Sequence, residues 1–170
     1  MGAVQSGLYV IMGVAGSGKT TIGARLARAL DIAFVEGDEL HPAENVRRMA
    51  AGIPLTDDDR RPWLLAIAAR LREAKRAGAG LVVSCSALKR SYRDLLRAGA
   101  QAEVQFVYLK GSPALIAERM AQRRGHFMPP ALLQSQFATL EEPAAAEHAW
   151  VCEIRQPPDA IVAALVERAA

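Results

Sequence analysis

One octapeptide constrains this chain more than any other feature. Gly13-Val14-Ala15-Gly16-Ser17-Gly18-Lys19-Thr20 matches G-x-x-x-x-G-K-[ST], a loop that wraps a chain of phosphates. It stands after the apolar run Leu8-Tyr9-Val10-Ile11-Met12 and before Ile22, Leu26, Ala29 and Leu30 at helical spacing, which predicts a strand, a loop and a helix in that order. Each residue type has its reason. Glycines let the backbone take positive φ and turn its N–H groups inward. The helix N-terminus adds its dipole and free donors, Lys19 reaches the β- and γ-phosphates, and the Thr20 hydroxyl suits Mg²⁺. A merely glycine-rich turn is the plain alternative, and the strand and helix on either side argue against it.

The alternation continues down the chain. Further apolar runs at residues 32–35, 80–85 and 104–109, with a weaker one at 150–154, are separated by helix-length segments. Runs that are apolar on successive residues predict strands covered on both faces, and therefore an α/β fold with a five-stranded parallel sheet. Trp63, Leu64, Ile67, Ala68 and Leu71 form a helical stripe behind the capping cluster Thr56-Asp57-Asp58-Asp59. Ser112-Pro113 opens a helix expected to run towards Arg124, and Pro157-Pro158 opens the last one. Residues 125–130, with Pro129-Pro130, break the helical pattern and are expected to be the tip of a mobile flap.

Composition narrows the class. A chain of 170 residues with 51% hydrophobic and 23% charged residues makes one domain with a sizeable core. Cys85 and Cys152 are too few for a disulfide framework and lack metal-ligand spacing, so a reducing, cytoplasmic location is expected. Cys85 itself is expected to be a packing residue, not a nucleophile. No run approaches the roughly 18 apolar residues that would span a bilayer. The net charge of +3 is too small to argue for nucleic acid, although 17 of the 21 cations are arginine, the cation whose fork matches phosphate.

Where those cations and the acids fall is informative. Glu36-Gly37-Asp38 closes the second strand, at the sheet end where ligands gather. Asp38 there could take a proton from an attacking hydroxyl and Glu36 could hold a metal-bound water; the bland alternative is two solvated loop charges. The third strand ends in Ser84-Cys85-Ser86, without the aspartate many such loops use for Mg²⁺, which makes Glu36 and Asp38 more necessary. Arg119, Arg123 and Arg124 share one helix face ahead of His126 and repel one another unless an anion lies between them. An ordinary basic helix face is the alternative. His41, Arg47, Arg48, Asp58, Arg60, Arg61, Trp63, Lys89 and Arg90 follow the second and third strands, and if they converge they describe a second ligand with hydroxyls and a negative charge.

Longer motifs carry a resemblance. Gly13 to Thr20, Gly37-Asp38-Glu39-Leu40-His41-Pro42, Gly52-Ile53-Pro54-Leu55-Thr56-Asp57, Pro62-Trp63-Leu64, Ser84-Cys85-Ser86-Ala87-Leu88-Lys89-Arg90, Tyr92-Arg93-Asp94, Gly125-His126-Phe127-Met128-Pro129 and Ser135-Gln136-Phe137 resemble bacterial gluconokinases of the P-loop type. The resemblance implies a three-layer P-loop kinase fold with strand order 2-3-1-4-5 and a mobile lid over about 119–137. It also implies a homodimer that uses ATP and Mg²⁺ to phosphorylate D-gluconate. Lys19, Asp38 and Arg123 are the implied catalytic residues. Residues 13–20, Thr21, Arg119, Arg123 and Arg155 are implied for the nucleotide, Arg119 and Arg123 by likeness to adenylate kinase lids and Arg155 by its place where such kinases close a loop over adenine. Thr20, Glu36 and Asp38 are implied for the metal, and the Glu36-Gly37-Asp38 turn is similar to the acidic pair of shikimate kinases. Asp38, His41, Arg48, Asp58, Arg60, Trp63, Ser86, Lys89, Arg90, Arg124, His126 and Gln136 are implied for the sugar acid. Two rivals stay open on residues alone: a kinase of another small acid or a nucleotide, and an NTP-switched nucleic-acid module, for which the chain has little room left.

Overall fold

The computed structural model describes residues 6–122 and 130–170. Strands β1 (Leu8–Met12), β2 (Ala33–Glu36), β3 (Leu81–Ser84), β4 (Gln105–Lys110) and β5 (Trp150–Glu153) form one parallel sheet in the order β2-β3-β1-β4-β5. The expected strand order is therefore found. The described helices are α1 (Lys19–Leu30), α2 (Ala43–Ala50), α3 (Asp57–Arg76), α4 (Arg90–Ala100), α5 (Pro113–Gln122), α6 (Pro130–Thr139) and α7 (Pro158–Ala169), with a 3-10 turn at Gly37–Leu40 and another at Ala145–Glu147.

The central strand shows why its sequence is apolar without alternation. Leu8, Val10 and Met12 pack with Trp63, Leu64 and Ile67 of α3 and Leu96 of α4. Tyr9 and Ile11 pack with Ile22 and Leu26 of α1 and Ile161 and Leu165 of α7. Both faces of β1 are covered, so every position must be apolar. Truncating a fully buried member such as Ile67 to alanine costs about 2–5 kcal/mol by lost transfer energy and the cavity left behind.

The expectation of two covered faces fails at the sheet edges. Ala33 on β2 and Val151 and Glu153 on β5 are exposed, because each edge strand has a neighbour on one side alone. Ala29 is exposed too, and Ala27 takes its place in the α1 core stripe. The α3 cap is found: Thr56 Oγ1 accepts from the Asp59 N–H at 3.1 Å while Thr56 N–H donates to Asp59 Oδ2 at 2.9 Å. At the start of α5, Ser112 Oγ accepts from the Leu115 N–H at 3.1 Å. Arg123, Arg124, His126 and all of the expected flap tip except Pro130, which opens α6, lie outside the described residues. No helix among the described residues is long and apolar enough to cross a membrane.

Candidate active site

Because all five strands are parallel, their carboxyl ends lie on one side of the sheet. The loop 13–18 leaves β1 there, beside the position where the chain order reverses between β3 and β4. Gly13, Gly16 and Gly18 sit at φ 151°, 79° and 97°, the left-handed region their lack of a Cβ permits. Lys19, the first residue of α1, donates from Nζ to Val14 O at 3.0 Å. The Ala15 N–H donates to Gln136 Oε1 at 2.6 Å, so α6 touches the loop itself. Ser17 is 2% exposed and its hydroxyl is a buried oxygen with no hydrogen-bond partner among the described residues.

A cleft of ≈ 290 Å³ opens beside the loop, lined by Gly16, Ser17, Thr21, Arg119, Ile154 and Gln156 among others. The Arg119 guanidinium donates to Ile154 O, which ties α5 to the turn after β5. Arg155, assigned to the nucleotide from sequence, instead lines the neighbouring cleft with Lys110, Glu142 and Glu153. Gln156 occupies the place beside the phosphate loop.

Glu36 and Asp38 diverge in role. Glu36 Oε2 accepts from the Thr20 hydroxyl, and Glu36 Oε1 accepts from Ser84 Oγ at 2.5 Å. Ser84 Oγ in turn accepts from the Gly37 N–H at 3.2 Å. Parallel pairing sets Glu36 opposite Ser84, so the acid at the end of β2, the serine at the end of β3 and the threonine in the first turn of α1 form one oxygen cluster. Gly37 is needed between the two acids for clearance: a Cβ there would sit 2.0 Å from Ser84 O. Asp38 is exposed beyond it. Its charge and that of Lys19 both act on the buried Cys85 thiol, one raising and one lowering its pKa. Burial dominates and pushes that thiol up to about 12, so Cys85 is the inert packing residue its sequence context suggests.

The second group of residues gathers on the β2 and β3 side. Lys89 Nζ meets Asp57 at 3.0 and 3.2 Å, the Tyr92 hydroxyl also donates to Asp57, and Arg60 Nη1 donates to the Tyr92 hydroxyl at 2.8 Å. Tyr92 and Lys89 as donors hold the Asp57 carboxyl below its usual range. The cluster therefore uses Asp57, while Asp58 is exposed and makes none of these bonds. Arg48 is taken by Asp59, both oxygens at 2.9 Å, and by Glu44 at 3.3 Å. Arg90 is exposed, and its backbone N–H is capped by Glu141 Oε1 at 2.9 Å. His41 stacks on Trp63, whose indole N–H donates to Gly37 O at 2.8 Å. Ser86 joins the phosphate loop through its carbonyl, which accepts from the Gly13 N–H at 3.3 Å.

Sequence reasoning missed the support beneath this cluster. Arg93, with no exposed surface, forks onto Glu147 at 2.7 and 3.1 Å and also donates to Ala87 O at 2.8 Å and Glu141 O at 2.9 Å. Ala87 sits at φ 45° in the segment that carries Ser86 and Lys89. The guanidinium thus braces a strained loop against the chain that follows α6. The signal was present as Arg93 in the quoted motif, but an arginine facing a core is not what helical periodicity leads one to expect.

A P-loop opening α1, an acidic turn after β2 and a polar cluster across from them, on a 2-3-1-4-5 sheet, define the P-loop kinase class. Residues 8–143 match a family model described as an AAA domain. The chain is 45% identical to the thermoresistant gluconokinase of Escherichia coli over 94% of its own length and 91% of that protein. It is 48% identical to the gluconokinase of Gluconobacter oxydans, with coverage of 92% and 88%. A crystal structure of a gluconokinase from Sinorhizobium meliloti superposes with a TM-score of 0.88 at 50% identity, covering 98% of this chain and 95% of that one. The chain belongs to the gluconokinase family.

Proposed function

We propose that this protein transfers the γ-phosphoryl group of ATP to the terminal hydroxyl of D-gluconate, giving 6-phosphogluconate and ADP. The observation that carries the reading is the arrangement at one sheet end. A phosphate loop with its cleft follows β1, Glu36 at the end of β2 is bonded to Thr20 just after that loop, and Arg60, Lys89 and Tyr92 form a polar cluster with Asp57 next to the segment that follows β3. Two small anions of the sizes of a nucleotide and a sugar acid suit such a crevice.

The residues divide the work. Backbone N–H groups of 13–18 and Nζ of Lys19 bind the phosphate chain and spread its developing charge. Asp38, exposed in the turn after β2, orients the terminal hydroxyl and takes its proton as the new O–P bond forms and the bond to the β-phosphate oxygen breaks. Arg60 and Lys89 receive the acceptor's carboxylate and hydroxyls in exchange for part of their present bonding to Tyr92 and Asp57. Arg119 closes the nucleotide side, and Arg123, Arg124 and His126 complete the lid in this reading although they lie outside the described residues.

The donor set at Thr20, Glu36 and Ser84 is all oxygen and contains one carboxylate, which fits Mg²⁺ held mainly by phosphate and water. When bound, Mg²⁺ neutralises charge on the β- and γ-oxygens. A homodimer and a cytoplasmic location belong to the same proposal, with Val46, Met49 and Ile53 among the exposed apolar side chains available for pairing. Light scattering tests the dimer. The acceptor is tested by ADP release with gluconate, shikimate and AMP in parallel: gluconate is expected to dominate, and preference for either rival overturns the assignment.

A further inference from the structure

His41 is held more closely than a surface substrate ligand requires. Its ring lies 4.1 Å from that of Trp63 at an interplanar angle of 14°. Its Nδ1 is 3.2 Å from Nδ2 of Asn45, a residue only 4% exposed, and the same Nδ2 is 2.8 Å from the backbone carbonyl of Asp59. A carbonyl oxygen can only accept, so the Asn45 amide must turn its NH₂ towards Asp59. The opposite amide orientation would set two oxygens against each other at that distance. The second hydrogen of the same NH₂ then points at His41, and Nδ1 must carry the lone pair that accepts it. A neutral imidazole with a lone pair on Nδ1 has its proton on Nε2. Burial favours the neutral ring, lowering its pKa, with the nearby Asp38 charge opposing and Arg60 adding to the shift. Nε2 has no hydrogen-bond partner among the described residues.

We propose that Asn45 locks His41 in the Nε2–H tautomer, and that this N–H is a neutral donor to an oxygen of the acceptor substrate. His41 then reads the position of a hydroxyl lone pair or carboxylate oxygen and does not take the proton of the attacking hydroxyl. That task stays with Asp38. Asn45 is a positioning residue, acting through the ring that Trp63 keeps from rotating. The identity of the acceptor rests on the gluconate reading above, whereas the tautomer does not.

The tautomer is read directly by ¹⁵N-resolved NMR of the histidine rings at pH 8 without substrate, with the His41 signals assigned by their loss in His41→Gln. Nδ1 is expected in the unprotonated range and Nε2 in the protonated range; a ring protonated on Nδ1 overturns the proposal. Asn45→Asp replaces the donor by an acceptor and should draw the proton to Nδ1. The expected kinetic result is a rise of about tenfold in KM for gluconate, the loss of about one hydrogen bond, with KM for ATP little changed. An unchanged gluconate KM alongside the switched tautomer overturns the donor role. Should Asn45→Asp fail to fold, His41→Gln and His41→Leu carry the same test: the Gln amide keeps an N–H where Leu has none, so Gln should raise KM less. Equal rises overturn the role. If another acceptor proves to be the substrate, the gluconate reading fails, and the same comparison on that acceptor still decides whether His41 donates to it.

Discussion

Replacing Glu147 by Gln removes a charge and keeps the shape. The carboxylate side chain is 1% exposed and accepts from Arg93, from Arg97 Nη2 at 3.0 Å and from the Ala144 N–H at 2.9 Å. Burial alone would raise its pKa, but these donors outweigh it and bring it down to about 2 from an ordinary 4.5. A depressed carboxyl adds stability that is complete above its unfolded value and is lost as pH falls through its folded one. The difference of roughly 2.5 pH units corresponds to about 3 kcal/mol, present at pH 7 and lost between about pH 4.5 and 2. In Glu147→Gln the fully buried Arg93 loses its counter-charge, for which about 3–5 kcal/mol is typical. At about 2–4 °C per kcal/mol for a chain of this size, Tm at pH 7 should fall by roughly 6–20 °C. Urea titrations of both proteins at several pH values give the assay, with the gap between them narrowing towards acid. A gap below about 1 kcal/mol at pH 7, or one that stays constant down to pH 2, refutes the reasoning.

Three further outcomes follow from the site. Asp38→Asn should lower kcat by about 10²–10⁴ with nucleotide binding kept, and wild-type turnover would remove Asp38 from the proton path. Glu36→Gln weakens the oxygen cluster with Thr20 and Ser84, so about tenfold more Mg²⁺ should be needed for half-maximal rate; superimposable Mg²⁺ titrations would count against its role. Gly37→Ala drives a Cβ against Ser84 O and should cost about 1–3 kcal/mol and displace Asp38, lowering kcat as well. Unchanged Tm and kcat would show that β2 and β3 separate without cost.

The parts of the molecule governed by periodicity and by backbone chemistry were legible in the sequence. The apolar runs located the strands because β1, β3 and β4 are enclosed, and the glycines of residues 13–18 announced a loop whose geometry few other residues tolerate. Helix α2 was not legible because it inverts the usual pattern, burying Asn45 and exposing Val46 and Met49. Helix α4 was obscured likewise, since Arg93 occupies its core face. Within the site, sequence gave the acids and cations but not their pairing. Asp57 and Asp58 are equivalent as letters, and only the path of α3 brings Asp57 to Lys89 and Tyr92. The Asn45 amide became informative once its two partners were known.

The central claim is phosphoryl transfer to one particular oxygen. Incubation of the protein with ATP, Mg²⁺ and D-gluconate, followed by ³¹P NMR of the products, tests it most directly. One new phosphomonoester is expected, coupled to the terminal methylene of gluconate and formed in equal amount to ADP. Phosphate on another carbon, or ADP accompanied by inorganic phosphate alone, would contradict it.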